Sequence, residues 1–83
     1  MIYLVSARHV SPDYQIERAE FDTGYSSRYT VREYGSNKWV ANAPKFGMGH
    51  ERSTPEDAIL DLLKANGCYG ISIQAFDSSD FNH

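Results

Sequence analysis

Cysteine is nearly absent from this 83-residue chain: there is one, Cys68. A single thiol cannot form an internal disulfide, so no covalent staple is available, and an unpaired thiol suits a reducing compartment. No stretch approaches the roughly 20 apolar residues that span a bilayer. The opening residues, Met1–Arg8, carry no basic leader, and their apolar run is too short for a secretory signal. These absences predict a cytoplasmic protein that makes no use of a membrane. Positive charge is also scarce, with 8 bases against 11 acids and a formal charge of −3. A protein held on nucleic acid by phosphate contacts shows the opposite balance. There is no internal repeat and no low-complexity tract.

What is present is a thin but aromatic core. A chain of this length makes one domain and buries only about 60–65% of the surface its unfolded form exposes. Apolar residues make up 41%, and 13% are aromatic, including six Tyr. Aromatic rings bury much area each, while the tyrosine hydroxyls must meet water or a partner. Several of these rings therefore belong at the core edge or on an exposed face.

Periodicity predicts the elements. Ile2–Ala7 reads as a strand, apolar on both faces. Gln15–Asp22 alternates poorly; an extended edge-like segment is favoured over a short helix capped by Ser11-Pro12. Arg28–Tyr34 and Asn37–Ala43 form a hairpin around the turn residues Gly35-Ser36-Asn37. Pro44 ends the second strand. Lys45–Ser53 reads as a loop. A helix follows: Thr54 as N-cap, Pro55 at the first position and Glu56 and Asp57 in the first turn. Ala58, Ile59, Leu62 and Leu63 make its apolar stripe, and Asn66-Gly67 its stop. Gly70–Phe76 is a last strand. The expected fold is α+β, a two-layer sandwich with a four- to five-stranded, mostly antiparallel sheet and one helix at about 54–66. The order is β-(β)-β-β-α-β. Residues 1–76 form the domain and 77–83 a polar tail.

Motifs for chemistry fail on spacing. Gly47-Met48-Gly49 stands between a strand and a helix, as a phosphate loop does. It lacks the Gly-Lys-Ser/Thr that such a loop needs, and Glu56 and Asp57 occupy the helix start where an anion would sit. His50-Glu51 starts like a zinc-protease helix, but the second histidine is missing and Pro55 blocks continuation. His9, His50, His83 and Cys68 are too scattered to propose a metal site. Cys68 reads as a small buried apolar residue. The reading is therefore non-enzymatic, with no catalytic residue, no cofactor and no metal.

Two groups point to binding instead. Phe46 and Met48, with the neighbouring His50, are not explained by strand or helix periodicity, and apolar loop residues mark contact surfaces. Phe46 has a competing role as a plug folded back over the core. The second group is Tyr25, Arg28, Arg32 and Tyr34, with Tyr29 between them. This interleaving of bases and aromatics suits base stacking, or equally cross-strand contacts on a sheet face.

The run Lys38-Trp39-Val40-Ala41, the glycine loop, and Thr54-Pro55-Glu56-Asp57-Ala58-Ile59 resemble HicB-like antitoxin domains and small phage and prophage proteins. The resemblance covers about Arg28 to Asn66, half the chain. It implies a sheet-and-helix module that works by binding another protein. A last strand and tail stand where HicB-like proteins carry a DNA-binding segment, so autorepression is not implied. No site residue transfers.

The function expected is thus a small protein-binding module. It would be an inhibitor, an antitoxin-like neutraliser or a phage-encoded anti-defence protein of the anti-CRISPR or antirestriction type. The alternatives are a nucleic-acid binder using the Tyr/Arg strand, and a ligand-binding or enzymatic homodimer. The last needs a pocket of about 300 Å³ or more. Paired edge strands leave a homodimer open.

Overall fold

A computed structural model of the chain describes residues 1–10, 18–22 and 29–77. Among these residues six strands and one helix follow in order: β1 (Ile2–His9), β2 (Ala19–Asp22), β3 (Thr30–Glu33), β4 (Trp39–Ala43), β5 (Gly47–Met48), α1 (Pro55–Ala65) and β6 (Cys68–Phe76). The strands form one sheet in the order β5-β4-β3-β2-β1-β6. β2 and β3 meet in parallel at Asp22 and Thr30; every other pair is antiparallel. The fold is α+β, as expected, with a sixth strand and one parallel pair added.

The helix forms where its punctuation stands. Thr54 is extended, and its hydroxyl accepts the Asp57 N–H at 3.1 Å. Lys64 lies in the last turn, and Gly67 takes the left-handed conformation, φ 80°, that stops the helix. The predicted stripe Ala58, Ile59, Leu62 and Leu63 is buried.

Strand alternation supplies the other half of the core. Tyr3, Val5 and Ala7 of β1, Ala19 and Phe21 of β2, Val31 of β3, and Ala41 and Ala43 of β4 face the helix, with Cys68. β2 settles the ambiguous segment as a strand over 19–22, since Ala19 and Phe21 are buried while Glu20 is exposed. Residues 15–17 of that segment lie outside the described residues. Phe21 and Tyr29 rings meet at 5.2 Å. α1 packs on β4, β3 and β6. At Gly70, φ 60°, β6 carries one residue more than β1 between Ser6/Ser72 and Arg8/Tyr69. This bulge adds local twist.

The segment expected as a loop, Lys45–Ser53, is partly a strand. Met48 pairs with Asn42 and Gly47 with Ala43. Gly49 donates its N–H to Ala41 O at 2.9 Å, and Arg52 and Trp39 exchange both main-chain bonds at 2.8 Å. A side chain at 49 would crowd α1, because a Cβ there would lie 3.2 Å from the Leu62 Cβ. Of the two glycines that suggested a phosphate loop here, Gly49 is the one that passes close to the helix.

Candidate functional site

The residues singled out in the sequence do not fall as grouped there. Phe46, Met48 and His50 are close in sequence but part in space. Phe46 is half-buried against the core, and its ring stacks on His9 with centroids 5.8 Å apart. Of its two expected roles, it takes the plug over the core. His50 is exposed, and its N–H donates to Asp61 Oδ2 at 3.3 Å. Asp61 also accepts from the Arg52 guanidinium at 2.6 Å. Arg52 thus latches the segment after β5 to α1. The Arg52 hydrogen bond, helped by the His50 N–H, holds the Asp61 carboxyl below the usual carboxylate range.

Met48 goes the other way. Its partner Asn42 lies on the sheet face opposite the helix, because Ala41 and Ala43 face the core. On that same outer face lie Val40, across from Arg32, and Arg32 itself. Tyr34 follows two residues on, and the Arg32 guanidinium carbon stands 5.8 Å from the centroid of its ring. Met48 is 64% and Tyr34 57% exposed. β5 and β3 are two strand spacings apart, about 10 Å. One member of the glycine loop and two of the Tyr/Arg strand therefore share a single outer face at the β5 end of the sheet. Tyr25 and Arg28 lie outside the described residues.

Tyr, Arg and Met are residue types enriched at protein interfaces. Tyr and Arg dominate the binding energy of protein interfaces, and Met adapts to irregular partners. The Arg32 guanidinium lies within cation–π range of the Tyr34 ring. Only strand register brings these residues together, so nothing local in the sequence marks the grouping.

Elsewhere, the β1/β6 bulge leaves a depression of about 410 Å³ lined by Ser6, Ala7, Arg8 and Gly70. Its single charged lining group is Arg8. Cys68 is buried, and burial pushes its thiol pKa up, away from the reactive thiolate. Among the described residues no three His, Cys, Asp or Glu side chains come together as a metal site. Among them, too, no helix is long and apolar enough to cross a membrane. Set against protein-family models, curated proteins and solved structures, the chain matches none.

Proposed function

We propose that this chain is a non-enzymatic protein-binding module that works in the cytoplasm through the outer face formed by Met48, Arg32 and Tyr34. The observation that carries this reading is their convergence on one exposed face from strands β5 and β3. The helix and the Phe46 plug pack on the opposite face. A role as an inhibitor, antitoxin-like protein or phage anti-defence protein fits a small module of this kind. The single cysteine is free and buried, which suits a reducing compartment.

Truncating a central Tyr or Arg of an interface costs about 2 kcal/mol or more, which is roughly a 30-fold rise in Kd. Tyr34→Ala and Arg32→Ala should each weaken the partner's affinity by that order while the melting temperature holds. Affinities unchanged in both variants would reject the face.

The Arg32–Tyr34 stack also favours a second reading, single-stranded nucleic acid laid across β3. Steep loss of binding with salt, and again on Arg32→Ala, distinguishes it. No binding at low salt ends it.

A further inference from the structure

We propose that two copies of this chain join edge to edge through β6, about a two-fold axis at Ile73. β6 is the last strand in the sheet order, and among the described residues no strand pairs along its outer side. It is the longest strand, nine residues, against two in β5 at the other end. Sheets protect open edges with charge, proline, shortness or bulges. Cys68–Phe76 contains no Asp, Glu, Lys, Arg or Pro. Its bulge sits at Gly70, which leaves Ile71–Phe76 regular over about 20 Å.

The chemistry of the strand selects a second copy as its occupant. Ile71, Ile73 and Ala75 lie on the helix side, and Ser72 and Gln74 on the outer side. Antiparallel pairing about Ile73 sets Ile73 against its counterpart and Ile71 of one copy against Ala75 of the other. It sets Ser72 against Gln74. Over Ile71–Ala75, apolar thus meets apolar on one side and polar meets polar on the other, while Phe76 falls against Gly70. No like charges come face to face within the pairing, although each chain is net negative. Ile71 and Ile73, half-buried in one copy, gain cover.

The sheet becomes twelve-stranded, twice the six strands of one copy. A two-fold axis normal to the sheet puts both outer faces on one side. The two Met48–Arg32–Tyr34 patches then stand at opposite ends, so one dimer presents two patches. The dimer rests on β6 alone and holds whether or not those patches bind a partner.

Sedimentation velocity of the full chain across concentration tests this, with circular dichroism as the folding check. Ser72 and Gln74 are exposed in the single copy, so charging them leaves the core intact. Wild type should dimerise. Ser72→Lys/Gln74→Lys sets like charges opposite at two symmetric places and should weaken the dimer by on the order of tenfold. Ser72→Glu/Gln74→Lys sets opposite charges there and should restore it. A wild type that stays monomeric at every concentration overturns the proposal. So does a dimer indifferent to the double lysine, or one lost equally in the Glu/Lys variant.

Discussion

Gly49→Ala is the sharpest probe of how the β5 segment is seated. A Cβ at Gly49 would lie 3.2 Å from the Leu62 Cβ, 3.5 Å from its Cα and 3.6 Å from Ala41 O. Carbon atoms rest at about 3.5–4.0 Å, so the first contact is too close by a few tenths of an ångström. None of these atoms belongs to a movable side-chain end. Leu62 Cβ and Cα ride on the helix backbone, and Ala41 O belongs to β4. Relief requires the helix to lift from β4 or the segment to slide outward. Overpacking of this kind costs about 1–3 kcal/mol. Losing glycine's freedom in the unfolded chain returns about 0.4–1 kcal/mol. The net is about 1 kcal/mol of destabilisation, which in a domain this small lowers Tm by about 4–8 °C. Thermal melts and urea titrations of wild type and variant decide it, with m unchanged. A variant as stable as wild type, or more so, would refute the close approach of helix and strand.

Three further outcomes are expected. Thr54→Ala removes the hydroxyl that caps Asp57 and should cost about 1 kcal/mol in urea unfolding. Burial, and then the charge of Glu56, raise the Tyr3 phenol pKa. Its contribution is therefore full below the ordinary phenol range near pH 10 and is lost as pH rises through the raised value, so Tyr3→Phe should resist alkaline unfolding better than wild type. Asp61 is shifted the other way. Its contribution is present above the ordinary carboxylate range and is lost as pH falls through the lowered value, so the stability gap between wild type and Asp61→Asn should close in strong acid.

What was legible in the sequence was local. The cap at Thr54, the stop at Asn66-Gly67 and the stripe on α1 lie within a few residues of one another, and period 3.6 reads them directly. The hairpin of β3 and β4 was legible for the same reason, its turn falling where Asn37 takes positive φ. What escaped depends on contacts between distant residues. β5 has two residues and exists only because β4 offers an edge. The parallel meeting of Asp22 with Thr30 has no local signal. The different placements of Phe46 and Met48 depend on which side of β4 each falls, which loop composition alone does not encode. The joining of Met48 with Arg32 and Tyr34 requires the β3–β4 and β4–β5 registers together.

The most direct measurement is affinity capture from a lysate of the source organism with three baits. These are wild type, Met48→Asp/Tyr34→Ala, and Lys64→Ala as a folded control on the helix side. Phe46 is left intact because its ring supports the core. One protein should be enriched by wild type and by Lys64→Ala and lost with Met48→Asp/Tyr34→Ala. The same protein held equally by all three baits would contradict the proposed face.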